Sequence, residues 1–118
     1  MKEIIFYSYL RCSTCRKASK WLDKQKFEYQ LIDIVKEPPL SKYLTIALEQ
    51  HSIDKKRIFN TRGKAFKSLN INIDSLSKEE IIELLLSDGK LIKRPFLIYE
   101  EKKVILGFKE IEYAEQFM

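Results

Sequence analysis

Apolar and polar positions change their period along this chain, and the changes mark its elements. "KEIIFYSY" (residues 2–9) is a run of apolar and aromatic residues that predicts a buried strand. From about Ser13 to Lys26 the period becomes helical. Ala18, Trp21 and Leu22 fall on one face, with Arg16, Lys17, Lys20 and Lys24 on the other. "FEYQLIDIV" (27–35) alternates and predicts a second strand, stopped by Pro38 and Pro39, which have no N–H to give a ladder. Ser41 is the expected cap of a helix running to Gln50, with Tyr43, Leu44, Ala47 and Leu48 as its apolar stripe. "DKKRIF" (54–59) predicts a helical turn, and "TRGKAFKSLN" (61–70) a short helix capped by Thr61. "SKEEIIELLLSDG" (77–89) carries a capping box, Ser77 with Glu80, and Gly89 is the expected stop. "RPFLIYEEKKVILGF" (94–108) predicts a hairpin turning in "EEKK". "KEIEYAEQFM" (109–118) predicts a closing helix with Ile111, Tyr113, Ala114 and Phe117 facing inward.

The order is therefore strand, helix, strand, a helical middle, two strands, helix. The first strand–helix–strand unit implies parallel pairing through a right-handed crossover, and the later hairpin adds an antiparallel pair. The expected fold class is α/β: a thioredoxin-like (glutaredoxin-like) mixed four-stranded sheet with helices on both faces. A helical insertion, roughly residues 40–90, separates the second and third strands within one domain, 1–118.

Composition narrows the setting. The chain has 118 residues, 45% hydrophobic and 33% charged, enough to bury a core without disulfide staples. No apolar run approaches a membrane span. The opening "MKEIIFYSYL" lacks the long apolar region and cleavage site of a signal peptide, so the cytosol is the expected location. A structural disulfide does not persist there, so a cysteine pair is expected to titrate or react. The net charge of +5 fits a solvated, Lys-rich surface or an anionic substrate or partner.

Both cysteines, Cys12 and Cys15, lie in "YLRCSTCRKA", flanked by Arg11, Arg16 and Lys17. A structural zinc site needs about four ligands, and with one distant histidine, His51, none is expected; His51 itself suits a surface or helix end. The reactive reading has a direct basis. Cys12 follows a strand and precedes a helix, so it faces free backbone N–H groups and the positive end of the helix dipole. Neighbouring guanidinium groups add positive charge, and both effects favour the thiolate, the nucleophilic form. Cys12 is the expected attacking thiol and Cys15, one turn on, the resolving thiol. The other reading is two inert thiols packed beneath the helix.

"KRPFLI" (93–98) is the second constellation. Pro95 stands at a strand entry, where a proline with an ordinary trans bond is permitted without special meaning. In thioredoxin-like folds, however, a cis proline at this place lies beside the reactive cysteine, and a cis Arg94–Pro95 bond near Cys12 is the expectation. Arg94 would then offer donors to a thiolate or an oxyanion, or else sit on the surface paired with a carboxylate. Arg11, Arg16, Arg62 and Pro95 complete the candidate anion site.

At this point the chain resembles the ArsC/Spx family: glutaredoxin-linked arsenate reductases, the redox regulators Spx and MgsR, and related proteins. The resemblance spans nearly the whole chain through "CSTCRKA" at 12–18, "NTRGKAFKSLNI" at 60–71, "LLLSDGKLIKRPFLI" at 84–98 and "VILGFKE" at 104–110. It implies a thioredoxin-like core with a helical insertion. In the reductases a cysteine matching Cys12 attacks arsenate, and three arginines hold the oxyanion. Arg94 matches one of them; the other two positions hold Asn60, with Arg62 two residues on, and Gly107. The Spx-like regulators carry a C-x-x-C pair and resemble "FKSLNINIDSLS" (66–77) as well. Their disulfide acts as a switch, and they bind RNA polymerase through the C-terminal domain of its alpha chain.

Three functions follow as expectations. The first is a cytosolic thiol–disulfide oxidoreductase with Cys12, Cys15 and Arg94 as its catalytic set. No bound cofactor is expected. The partners would be a thiol reductant (the glutathione or thioredoxin system) and a small-molecule or protein disulfide. The second is an Spx-type redox-sensing regulator that binds RNA polymerase, with no direct DNA contact. The third is an arsenate reductase with a modified anion site.

Overall fold

A computed structural model describes residues 3–118. Strand β1 (Ile4–Ser8) leads to helix α1 (Ser13–Lys24) and strand β2 (Gln30–Asp33). The middle of the chain holds α2 (Ser41–Gln50), α3 (Lys64–Leu69) and α4 (Lys78–Ser87), with 3-10 turns at Lys55–Ile58, Ile73–Ser75 and Gly89–Leu91. Strands β3 (Phe96–Tyr99) and β4 (Lys103–Leu106) then form a hairpin, and α5 (Glu110–Phe117) closes the chain. The first strand was expected from Lys2, which lies outside the described residues.

The sheet order is β2-β1-β3-β4, with β1–β2 parallel and the other two pairs antiparallel. This is the thioredoxin-like arrangement expected from the element order, with α2, α3 and α4 between β2 and β3. Strand alternation divides the core in two. Ile5, Tyr7, Phe96, Ile98 and Val104 face α2, α4 and the turns of the middle segment. Ile4, Phe6, Leu97 and Ile105 face α1 and α5, where Trp21, Tyr113 and Phe117 meet. The Trp21 and Tyr113 rings pack edge-to-face, centroids 5.7 Å apart.

Several boundaries differ from the pattern for local reasons. Helix α1 stops at Lys24 because Lys26 turns left-handed, with φ +62°, and β2 keeps only four of the nine residues whose pattern alternates. Ser41 is the first helical residue rather than the cap; Leu40 holds the cap position with no side-chain bond. Gly63, not Thr61, precedes α3. Ile111 is 68% exposed, because the inward side of α5 is filled by Tyr113 and Phe117. The Ser77–Glu80 capping box forms as expected.

Gly89 does not stop α4. The helix ends at Ser87, and Gly89 opens the next 3-10 turn, buried against the main chain of β2's continuation. A Cβ there would collide with the Ile34 carbonyl oxygen. Close backbone approach, not a left-handed conformation, accounts for this glycine.

The middle segment is tied to the entry of β3 by a short antiparallel bridge. Lys93 N–H donates to Ile58 O at 2.7 Å and Asn60 N–H to Leu91 O at 2.8 Å. That bridge brings 60–62 and 93–94 to one rim. At the far edge of the sheet, the Gln50 amide takes the place of a missing strand: its Nε2 donates to Val104 O and its Oε1 accepts from Val104 N, both at 2.8 Å.

Candidate functional site

The two cysteines are both free and unlike each other. Cys12 is partly exposed at the N-cap of α1; Cys15 is 1% exposed within its first turn. The loop is set by a turn bond from Cys12 N–H to Tyr9 O at 3.0 Å, and the helix begins with Arg16 N–H to Cys12 O at 3.1 Å. Between them the Cys15 N–H donates to Cys12 Sγ at 3.3 Å. The sulfur thus stands where a Ser or Asp oxygen caps other helices, and negative charge on it meets the free N–H groups of the helix end. No acidic residue lies in this first turn to oppose it. Burial, and after it the neighbouring Cys12, push the Cys15 thiol up to about 12.

Cys12 opens onto a depression of about 1150 Å³. Apart from Glu112 of α5, the walls come from three places. The α1 loop supplies Arg11, Ser13 and Thr14; the middle segment supplies residues from Asp54 to Phe66, among them Arg57, Asn60 and Arg62; and the strands' ends supply Lys93, Arg94 and the Leu106–Lys109 stretch. Seven of the lining residues are basic and two, Asp54 and Glu112, are acidic. Among the described residues the two ion pairs are Lys42–Glu101 and Lys78–Glu49, and neither uses a cation of this depression.

Of the residues singled out in the sequence, Cys12, Arg11, Arg62 and Arg94 come together here. Arg16 does not; its Nη1 donates to the Leu10 carbonyl at 2.9 Å and braces the loop before Cys12. Pro95 is buried at the start of β3, and its peptide bond with Arg94 is cis. Its carbonyl accepts Gly107 N–H at 2.9 Å, tying the Gly107 wall to the start of β3. Arg94 is not paired with a carboxylate: its guanidinium stacks over the Tyr9 ring, 4.9 Å from the centroid, and its buried Nη1 has no hydrogen-bond partner. A buried guanidinium nitrogen left without an acceptor, in the same depression as the Cys12 thiol, is suited to receive one from a ligand.

At the two positions where the family resemblance expects arginines, the site is rebuilt. Asn60 turns its amide toward Lys90 O, at 3.5 Å. Gly107 has φ +71°, and a Cβ there would stand 3.3 Å from Lys93 Cε, so the lysine stem lies across the glycine. Tyr113 holds that corner from below, its hydroxyl donating to Gly107 O at 3.2 Å. Burial, and after it the nearby Cys15, raise the Tyr113 phenol well above its usual value.

The sequence reading missed Tyr9 as the shelf for Arg94, and it missed Lys56, Arg57 and Lys109 as members of the basic wall. The "DKKR" charge run was the available signal, but only the 58–60 to 91–93 bridge shows which way that run faces. His51 caps α2 at its C-terminal end, away from Cys12, and its pKa is lowered by burial and then by Arg57.

Known proteins resemble this chain along most of its length. The ArsC family profile matches residues 7–116. YusI of Bacillus subtilis is 41% identical over 97% of this chain and 98% of its own, and the regulatory protein MgsR of the same organism is 35% identical over 91% and 84%. A solved structure, a possible arsenate reductase from Streptococcus mutans, superposes with a TM-score of 0.88 at 39% identity, covering 97% of this chain and 98% of that one. The chain belongs to the ArsC family and has its thioredoxin-like fold. Among the described residues, no helix is long and apolar enough to cross a membrane.

Proposed function

We propose that this protein is a cytosolic thiol–disulfide oxidoreductase of the ArsC family. The observation that carries the reading is the position of Cys12 Sγ. It caps α1 through Cys15 N–H, faces a basic depression, and has a second thiol in the next turn.

In this mechanism the Cys12 thiolate attacks one sulfur of a substrate disulfide. The substrate S–S bond breaks, a Cys12–substrate disulfide forms, and the departing sulfur takes a proton from solvent. Cys15 then gives its proton to solvent and attacks Cys12 Sγ, releasing the second substrate sulfur, which is protonated in turn. Two electrons have passed to the substrate and a Cys12–Cys15 disulfide remains. An external thiol reductant of the glutathione or thioredoxin class returns it to the dithiol. Arg94, with its free Nη1, steadies the anionic sulfur or an anionic group on the substrate. The high proton affinity of Cys15 keeps it from competing as first nucleophile.

The test is turnover of hydroxyethyl disulfide coupled to a thiol reductant. Turnover in the native protein and its loss in Cys12→Ser support the reading; equal turnover in Cys12→Ser ends it.

A second reading is a redox-sensing regulator of the Spx type, in which the same disulfide alters binding to RNA polymerase. It is supported by the likeness to MgsR, named a regulatory protein, over most of the chain. Recovery of the protein with RNA polymerase from oxidant-treated cells, lost in Cys12→Ser, would favour it. Arsenate reduction is the third reading. It draws on the basic depression, but Asn60 and Gly107 leave the anion site altered, and arsenate-dependent consumption of reductant is its direct check.

A further inference from the structure

We propose that the depression continues into a groove that binds an extended acidic polypeptide. Its role as the substrate's docking site rests on the oxidoreductase reading, while the binding itself does not. A second hollow, about 410 Å³, lies beside His51 and Gln50 and is closed by Glu115 and Gln116 of α5. It shares Arg57, Leu106 and Glu112 with the depression at Cys12, so the two form one path over the end of β4. Their joint extent exceeds the roughly 300–1,000 Å³ that holds a small ligand.

Charge selects the occupant. Arg57 stands at the junction, with Arg62 and Lys56 on the near side, and none of these three is in an ion pair among the described residues. An excess of cations over carboxylates along a groove raises the local concentration of anionic partners and speeds their docking. Phe66, Leu106 and Phe108 interrupt the charge with apolar wall, which a peptide can meet with alternate side chains. Asp54, Glu112 and, in the second hollow, Glu115 break the positive surface around Arg57. A peptide accommodates such carboxylates with its N–H groups or a basic side chain; an evenly charged phosphate chain does not. The groove therefore fits an acidic polypeptide rather than a nucleic acid.

The test uses the full-length reduced protein and a fluorescein-labelled, thiol-free peptide of alternating Glu and Ala, about ten residues, long enough for an extended span of roughly 33 Å. Fluorescence anisotropy at low salt is expected to show binding about tenfold tighter than for the same peptide with Gln in place of Glu, with the difference lost at high salt. Arg57→Ser is expected to weaken acidic-peptide binding several-fold, and Arg57→Lys to retain most of it. Equal affinity for the two peptides, no effect of Arg57→Ser, or tighter binding of a single-stranded oligonucleotide of similar length overturns the proposal. Hydroxyethyl disulfide turnover, read separately, reports on the thiol chemistry. Peptide binding without turnover keeps the groove and removes the oxidoreductase reading; turnover without peptide binding does the reverse.

Discussion

The backbone N–H of Cys15 donates to the sulfur of Cys12 at 3.3 Å, so one cysteine holds the other in the position of a helix cap. The same residue pair divides the chemistry. One sulfur is partly exposed and accepts a backbone hydrogen bond; the other is enclosed and strongly retains its proton. That asymmetry is what the proposed division into an attacking and a resolving thiol requires.

Trapping tests the division of labour. Cys15→Ser is expected to accumulate a stable mixed disulfide with the substrate, because Cys12 can attack but nothing releases it. Cys12→Ser is expected to form none. Intact-protein mass spectrometry after brief exposure to hydroxyethyl disulfide reads both outcomes.

Alkaline stability follows from the same burial. The Cys15 thiol moves from an ordinary value near 9 up to about 12 on folding, so between these values the native state holds a proton that the unfolded state has lost. Stability is then present below pH 9 and falls as pH rises toward 12. Tyr29, raised to about 12 by burial and then by Asp23, acts in the same direction. Urea midpoints should decline above pH 9, and Cys15→Ala should decline less steeply than the native protein between pH 9 and 11.

Gly89→Ala is expected to destabilise by about 1–3 kcal/mol or more, because its Cβ would meet the Ile34 carbonyl, a backbone atom that cannot swing away. Gly63→Ala is the control. Its Cβ would meet Asn60 Nδ2 at 2.7 Å, the end of a side chain that can rotate aside. Urea denaturation of the two variants should separate them clearly.

Gln50→Ala removes both bonds to Val104 and leaves the backbone of an edge strand open. The expected loss is about 1–3 kcal/mol, together with concentration-dependent association through β4. Thermal denaturation and light scattering measure the two effects.

The strand and helix periods were legible in the sequence because each element buries one face, and the C-x-x-C pair announced itself by lying between the first strand and first helix. Arg62 and Arg94 could be named from their motifs. What the sequence did not reveal depends on contacts between distant segments. Ser41 and Thr61 have the chemistry of caps, yet Leu40 and Gly63 take those positions because the backbone enters the helices one or two residues away from them. Gly89 looks like a helix stop until the Ile34 carbonyl is seen against it. Arg16 sits beside the cysteines in sequence but turns to Leu10, whereas Arg57 is far away in sequence and is carried to the cleft by the Lys93–Ile58 pairing.

The central claim is that Cys12 is the sulfur that attacks, and its alkylation tests this most directly. Iodoacetamide applied to the reduced, folded protein at pH 7, with peptide mapping, is expected to label Cys12 several-fold faster than free N-acetylcysteine while Cys15 stays unlabelled. Labelling of Cys12 no faster than the free thiol, or labelling of Cys15 first, would contradict the account.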